Sequence, residues 1–152
     1  MFFDFLEYYM EKALEQAGIA RSIGEAPVGC VITENNRIIA TGYNRRESDQ
    51  NAVSHAEIAA IKTACEKTGF WRLTECELYV TLEPCPMCAG AIINSRIKRV
   101  VFGAYDKKSG AFGSVINLND FPFNHKPEVA GGVLAERSSA MLSAFFRSLR
   151  EK

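Results

Sequence analysis

Short runs of β-forming residues alternate with amphipathic helical segments along the whole chain of 152 residues. Near the N-terminus, apolar residues recur at spacings of three and four, which predicts a first helix containing Phe2, Phe3, Leu6, Met10, Ala13, Leu14 and Ala17. Residues 27–33 and 37–43 are rich in β-formers and flank a short segment, 34–36, that ends in two asparagines. Because asparagine tolerates a positive φ, this stretch predicts a β-hairpin.

The same alternation continues towards the C-terminus. It predicts a helix from about 54 to 67, a strand at 78–82, a helix from 86 to about 95, strands at 99–103 and 128–133, and a closing helix from about 134. Pro86 suits the first turn of its helix, where a missing N–H costs nothing. This order predicts an α/β fold with helices on both faces of one sheet. Because no linker or repeat divides the chain, one domain spanning 1–152 is expected.

Composition excludes several classes of protein. No run approaches the ~18 apolar residues that a membrane span needs, and Asp4, Glu7 and Glu11 lie where a signal peptide would be positively charged. A cytoplasmic protein is therefore expected, and its five cysteines are expected to be buried groups or metal ligands rather than disulfides. The charged residues balance overall, but 1–90 carry 8 basic and 13 acidic residues, and 91–152 carry 10 basic and 5 acidic ones. A phosphate-bearing partner would favour the C-terminal part.

Four residues near predicted helix starts carry the main chemical pattern. Cys85 and Cys88 are three residues apart, so their sulfurs share one side of a first helical turn, where the helix dipole favours thiolate ligands for zinc. His55 begins another helix and offers a nitrogen ligand. Three protein ligands leave a fourth zinc position open, which is typical of catalytic sites. Glu57 would then accept the proton of an activated water and deliver it to a leaving group.

Each motif taken alone has a simpler interpretation. Ser54-x-x-Glu57 fits a capping box, in which the glutamate only bonds a backbone N–H at the helix start. The cysteine pair alone fits a redox pair or half of a structural zinc site, completed by Cys30, Cys65, Cys76 or His125. Because the two motifs occur together, each at a helix start, the catalytic interpretation is favoured.

The pattern H-x-E followed by P-C-x-x-C is typical of zinc nucleobase deaminases. Further segments match in the same order: Pro27-Val28-Gly29, Gly42-Tyr43-Asn44-Arg45, the run from Leu78 to Cys85, Cys88-Ala89-Gly90-Ala91, Ser95-Arg96-Ile97, Val101-Phe102-Gly103-Ala104, Gly113-Ser114, Asn124-His125 and Phe145-Phe146-Arg147. In these residues the chain resembles the cytidine-deaminase-like superfamily and, more closely, the bacterial tRNA-specific adenosine deaminases.

This resemblance implies a three-layer α/β/α fold with a five-stranded mixed sheet, a homodimer and one Zn²⁺ per subunit. The implied reaction is hydrolytic conversion of the wobble adenosine of a tRNA anticodon loop to inosine. By the same resemblance, His55, Cys85 and Cys88 would bind zinc and Glu57 would be the general acid and base. The N–H of Ala56 would lie near the attacked carbon.

The resemblance also implies contacts with the substrate. Asn44 would hold the flipped nucleoside, while Val28 and Leu82 would form the walls of the pocket for the base. Asp106 and Asn124 match positions on an RNA-facing rim. Beyond tRNA and a second copy of the chain, the resemblance implies no membrane and no protein partner.

Two other functions are compatible with the sequence. Free-base or nucleoside deaminases, acting on guanine or cytosine, belong to the same superfamily, and guanine deaminases share Pro-Cys-Pro-Met-Cys. A non-catalytic zinc module that binds RNA is the third. At the C-terminus, Arg147, Arg150 and Lys152 beside Phe145 and Phe146 would suit phosphate contacts and base stacking. The two phenylalanines would equally suit packing of the last helix on the sheet.

Overall fold

The computed structural model describes residues 4–151. Its elements, in chain order, are α1 (Phe5–Ser22), β1 (Gly29–Glu34), β2 (Arg37–Tyr43), α2 (Ala56–Thr68), β3 (Cys76–Leu82), α3 (Pro86–Asn94), β4 (Arg99–Ala104), a 3-10 turn (Leu118–Asp120), β5 (Glu128–Ala130) and α4 (Ala135–Arg150). The predicted order of elements is confirmed. Phe2 and Phe3, which the first-helix prediction included, lie outside the described residues.

The strands form one mixed sheet in the order β2-β1-β3-β4-β5. β1 runs antiparallel to β2 and to β3, whereas β3 and β4, and β4 and β5, run parallel. Alanines of α2 and α3 pack in an apolar cluster on one face. On the other face α1 packs against the central strands, and an ion pair between Arg137 and Glu11 joins α4 to α1. The predicted three-layer α/β/α architecture with a five-stranded mixed sheet is confirmed.

Local sequence explains where these elements begin and turn. The side chain of Asp4 accepts hydrogen bonds from the N–H groups of Leu6 and Glu7, which caps α1. Asn35 and Asn36 have φ values of 51° and 59°, so both central residues of the β1–β2 turn adopt the left-handed conformation that a two-residue hairpin requires. The predicted hairpin is therefore confirmed.

Several element boundaries differ from the sequence prediction, including the starts of β1 at Gly29 and of β3 at Cys76. The fifth strand ends at Ala130 instead of 133, because Gly132 takes a φ of +88° that strand geometry does not allow. The second helix begins at Ala56, and its N-cap is His55. Among the helices of residues 4–151, none combines the length and apolar character that a membrane-crossing segment requires.

A glycine at the end of β2 sets how closely α2 approaches the sheet. A Cβ built on Gly42 would lie 2.3 Å from the carbonyl oxygen of Ala56 and 2.8 Å from the backbone N of Ala60. Only a residue without a side chain permits this contact. Gly42 therefore fixes the first turn of α2, which carries His55 and Glu57, against the sheet.

We expect Gly42→Ala to destabilise the protein by about 1–3 kcal/mol, because backbone atoms of α2 must move to admit the methyl group. Gly18→Ala is the matched control, since Gly18 lies inside α1 and its added Cβ would meet nothing within 4 Å. Alanine is the better helix former, so this control should stabilise the protein by up to about 1 kcal/mol. Chemical denaturation of both variants measures the two effects, and equal effects would contradict the proposed contact.

Candidate active site

The first turns of α2 and α3 bring three metal-ligating side chains together. His55 is the N-cap of α2, Cys85 is the N-cap of α3, and Cys88 lies one turn into α3. The Nδ1 atom of His55 lies 3.7 Å from the Sγ of Cys85 and 3.6 Å from the Sγ of Cys88. One ligand atom from each residue lies within 4.8 Å of the other two. The three residues therefore form one candidate metal site.

The spacing of these donor atoms fits tetrahedral zinc. Bond lengths of about 2.3 Å to sulfur and about 2.0–2.1 Å to nitrogen, at a tetrahedral angle, separate sulfur from nitrogen by about 3.6 Å. The two separations in the structure are 3.7 and 3.6 Å. No other cysteine or histidine of residues 4–151 joins the group. Among the candidates for a fourth ligand, His125 instead places its Nε2 2.6 Å from the carbonyl oxygen of Ile97.

Neighbouring groups shift the pKa values of the two thiols in opposite directions. A hydrogen bond from Cys88 and the nearby His55 lower the pKa of Cys85 to about 4, although burial opposes this change. The same hydrogen bond, together with burial and the carboxylate of Glu57, raises the pKa of Cys88. Contact with Cys85 also raises the pKa of His55. The lowered pKa favours the thiolate form of Cys85.

Glu57 lies on the first turn of α2, and only 4% of its surface is exposed. Burial raises its pKa from 4.5 to about 7, against hydrogen bonds and the charge of His55 that lower it. A carboxyl group with a pKa near neutrality both accepts and donates protons at physiological pH. The capping-box interpretation is wrong, because Ser54 Oγ donates to Asp49 Oδ2 at 3.0 Å and no side chain caps α2.

A cavity of about 190 Å³ opens beside the metal group. The predicted site residues that line it are Val28, Asn44, His55, Ala56, Glu57, Leu82, Cys85 and Asp106. Cys88 contributes to the metal group from a buried position. Asn124 is exposed and does not contribute to the lining, so the structure does not bring it together with the other predicted substrate contacts.

Sheet register explains the apolar walls of the cavity. Cys30 pairs with Val80 in the antiparallel ladder between β1 and β3, which places Val28 across from Leu82 just beyond the end of the ladder. The N–H of Asn44 donates to the carbonyl oxygen of Val28 at 3.1 Å and so fixes the loop after β2 at the same edge. The side-chain amide of Asn44 donates to the Ala26 carbonyl at 3.3 Å. Its orientation towards the cavity is therefore held by the backbone.

The structure adds four lining residues that the sequence analysis did not single out as site residues: Ala26, Arg46, Glu83 and Ser109. The backbone N–H of Arg46 donates to the side-chain oxygen of Asn44 at 3.1 Å. Ser109 Oγ donates to Asp106 Oδ2 at 2.9 Å, and the Asp106 side chain also accepts from the N–H of Lys108. Glu83 was recognisable in the sequence, because an acidic residue directly after the apolar strand β3 is unusual enough to indicate a specific role. Arg46 and Ser109 carry no such sign, because they lie in loops.

A buried carboxylate anchors the loop that follows β2. Glu25 is 1% exposed and accepts hydrogen bonds from the backbone N–H groups of Glu47, at 3.2 Å, and Ser48, at 2.5 Å. Burial raises the pKa of Glu25, but the hydrogen bonds from Ser48 and Glu47 outweigh it and hold the pKa below the usual 4.5. The ionised carboxylate is therefore the form that fastens this loop.

This anchor predicts a loss of stability in acid. A carboxyl group with a lowered folded-state pKa contributes stability above its unfolded pKa, and that contribution disappears as the pH falls through the folded value. We expect Glu25→Gln to reduce the unfolding free energy at pH 7 by about 1–3 kcal/mol, because one backbone N–H loses its acceptor. The difference in unfolding free energy between this variant and the wild type should become smaller below about pH 4.5. Urea denaturation from pH 3 to 7 measures this, and a pH-independent difference would contradict the assignment.

A family model described as MafB19-like deaminase matches residues 6–150. The tRNA-specific adenosine deaminase of Bacillus subtilis (strain 168) is 51% identical over 147 residues, which cover 96% of this chain and 91% of that enzyme. The chain belongs to the tRNA-specific adenosine deaminase family. Another member, from Haemophilus influenzae, is 48% identical over 98% of this chain and 87% of its own length.

Solved structures give the same relationship. A structure from biochemical and structural studies of A-to-I editing by tRNA:A34 deaminases is 42% identical, with a TM-score of 0.86 over 89% of this chain and 99% of that one. A guanine deaminase from Nitrosomonas europaea is 25% identical, with a TM-score of 0.77 over 91% of this chain and 83% of its own. The family resemblance of the sequence is therefore confirmed, and the fold is shared with a deaminase of a free base.

Proposed function

We propose that this chain hydrolyses the bond between C6 and the 6-amino group of the wobble adenosine in a tRNA anticodon loop, consuming water, releasing ammonia and leaving inosine in the tRNA. The observation that carries the proposal is the cavity in which Glu57 lies beside the group of His55, Cys85 and Cys88. The likeness to tRNA-specific adenosine deaminases over nearly the whole chain supports tRNA as the substrate. In this proposal residues 1–152 act as one cytoplasmic deaminase domain.

The chemistry divides between the metal group and Glu57. His55, Cys85 and Cys88 would hold one Zn²⁺ per subunit, since their spacing suits it. When bound, zinc supplies the Lewis acidity that lowers the pKa of water from 15.7 to about 7. Glu57 would accept one proton of the attacking water and deliver it to the ring nitrogen, where it stays, and would then carry the second proton of that water to the leaving amine. Its pKa of about 7 suits both directions of this transfer.

The surrounding residues would hold the flipped nucleoside. A base in a stacked helix cannot reach the cavity, whereas an anticodon loop presents bases that are easily splayed out. The fixed amide of Asn44 would bond the nucleoside, with Val28 and Leu82 on either side of the base and the N–H of Ala56 near the attacked carbon. Asp106 would contribute to the RNA-facing rim.

Binding of tRNA would extend beyond the cavity. Asn124, outside the cavity, keeps its proposed place on an outer part of the RNA-facing rim. On α4, Phe145 is only 8% exposed and packs on the protein, whereas Phe146 is 46% exposed next to Arg147 and Arg150. We expect Phe146 to stack on a base, and Arg147 and Arg150 to contact phosphates. Lys152 lies outside the described residues, and assembly as a homodimer is part of the same proposal.

The alternatives make different predictions. A deaminase of free guanine or cytosine would share the metal group, as the likeness to a guanine deaminase indicates. A non-catalytic zinc module that binds RNA would keep its function without Glu57. Of the two, the free-base deaminase has the stronger support, because the open cavity beside Glu57 suits catalysis.

The deciding experiment follows inosine formation in a tRNA transcript that carries adenosine at the wobble position. A matched transcript with guanosine at this position is the control, and free guanine and cytosine are tested in parallel for ammonia release. We expect inosine from the first transcript alone. A zinc-loaded protein that releases ammonia from a free base, but forms no inosine in tRNA, would contradict the proposal.

A further inference from the structure

One wall of the cavity is fastened by a carboxylate that is almost completely buried. Glu83 directly follows β3, lies two residues before Cys85, and has 2% of its surface exposed. The hydrogen-bond partners of its side chain belong to the loop 106–114, which supplies Asp106 and Ser109 to the cavity lining. Glu83 therefore connects the sheet edge that carries a metal ligand to the wall opposite Asn44.

Each oxygen of Glu83 accepts two hydrogen bonds from this loop. Oε1 accepts from the N–H of Asp106 at 3.0 Å and from the hydroxyl of Ser114 at 2.5 Å. Oε2 accepts from the N–H groups of Phe112 and Ser114, both at 3.1 Å. A Cβ on Gly110 would lie 2.3 Å from the Glu83 carboxyl carbon, so the loop backbone is packed directly on the carboxylate.

Few other bonds hold the start of this loop. Within the turn, the side chain of Asp106 accepts from the N–H groups of Lys108 and Ser109, which shapes the turn but does not fix it to the sheet. The turn begins just after Ala104, whose carbonyl oxygen accepts from the N–H of Glu83 at 2.8 Å, and ends at Ala111, whose N–H donates to the carbonyl oxygen of Pro84 at 2.9 Å. Between these two points, the bond from Asp106 to Glu83 joins the turn to the end of β3. Removing this bond therefore loosens the part of the wall that carries Asp106 and Ser109.

We propose that Glu83 is a positioning residue that sets substrate affinity by holding Asp106 and Ser109 opposite Asn44. This inference rests on the proposed function, because the wall matters only if a nucleoside enters the cavity. The described hydrogen bonds of the Glu83 side chain go to the loop and none goes to His55 or Glu57. Glu83 thus acts on binding and not on the chemical step.

Replacement by glutamine tests this assignment with little change in shape. A carboxylate only accepts hydrogen bonds, whereas one end of an amide donates them. At the place of Oε2, the amide nitrogen would face two backbone N–H donors, but at the place of Oε1 it faces one N–H and a hydroxyl that can turn to accept. Glu83→Gln therefore gives up the bond to Asp106 and keeps those to Phe112 and Ser114.

We expect Glu83→Gln to raise KM for the tRNA transcript by about tenfold or more, the factor for the loss of one hydrogen bond to a charged acceptor. The kcat should change by less than about threefold and the metal content should stay at the wild-type level, since the groups that perform proton transfer and metal binding keep their contacts. Amide hydrogen exchange in residues 106–112 should accelerate relative to the rest of the chain. Gly110→Ala, which displaces the same wall from the loop side, should raise KM in the same way.

Ser114→Ala is the matched control, because it removes a donor from the same oxygen but leaves the bond from Asp106 in place. Its KM should stay within about twofold of the wild type. An unchanged KM in Glu83→Gln, or a fall in kcat with loss of metal, would overturn the inference while wild-type activity upholds the proposed function. Absence of inosine with the wild type would overturn both.

Discussion

Replacement of Glu57 by alanine is expected to lower kcat for inosine formation by about 10²–10⁴-fold, the contribution typical of a general acid and base. The metal should remain bound, because Glu57 is not a member of the ligand group of His55, Cys85 and Cys88. Inosine formation and the metal content of the same preparation measure the two effects. Loss of activity without loss of metal would show that Glu57 serves proton transfer and not metal binding.

Glu66→Ala is the matched control for this variant. Glu66 lies on the same helix, α2, but its side chain is exposed and outside the cavity lining. Activity close to wild type is expected for the control. If Glu57→Ala retained full activity as well, Glu57 would have no part in proton transfer, and the non-catalytic zinc module would gain support.

Replacement of Cys85 or Cys88 by alanine is expected to remove both metal and stability. A ligand present at 1,000 times its Kd stabilises the folded state by about 4 kcal/mol, and this contribution disappears with the metal. Because the proposed ligands come from the N-terminal ends of two helices, a bound metal would link the start of α2 to that of α3. Elemental analysis and chemical denaturation in the presence of zinc measure the two losses.

Cys65→Ala is the control for general effects of cysteine replacement. Cys65 lies on α2, is partly buried, and is not part of the metal group. It should retain one metal ion per subunit. Near-normal metal content in both the Cys85 and the Cys88 variants would contradict the ligand assignment, whatever their stability.

The determinants of the candidate metal group are largely local in the sequence. Pro86 suits a helix start, and the spacing of Cys85 and Cys88 then puts both sulfurs on one side of the first turn. The position of His55 at the start of α2 is nearly as local. Only their convergence on one edge of the sheet depends on tertiary structure, and the family resemblance supplied that part.

The loop anchors could not be predicted in the same way. Glu25 accepts hydrogen bonds from backbone groups 22 and 23 residues further along the chain, and a backbone N–H has no signature in the sequence. The pattern Ser54-x-x-Glu57 was misleading for a related reason, because Asp49 binds the Ser54 hydroxyl and the helix starts later. The exposed position of Asn124 reflects the path of a loop, which no hydrophobic periodicity encodes.

The two carboxylate anchors separate the tasks of the active site into independent parts of the chain. The metal group and Glu57 belong to the first turns of helices packed on the sheet, whereas the opposing walls are loops fastened by Glu25 and Glu83. Under the proposed function, a change in either loop would alter substrate binding while the metal group and Glu57 keep their packing on the sheet. This arrangement would allow the substrate range to change without changes in the helices. Exchange between related proteins of the loops that Glu25 and Glu83 anchor is therefore the direct way to engineer it.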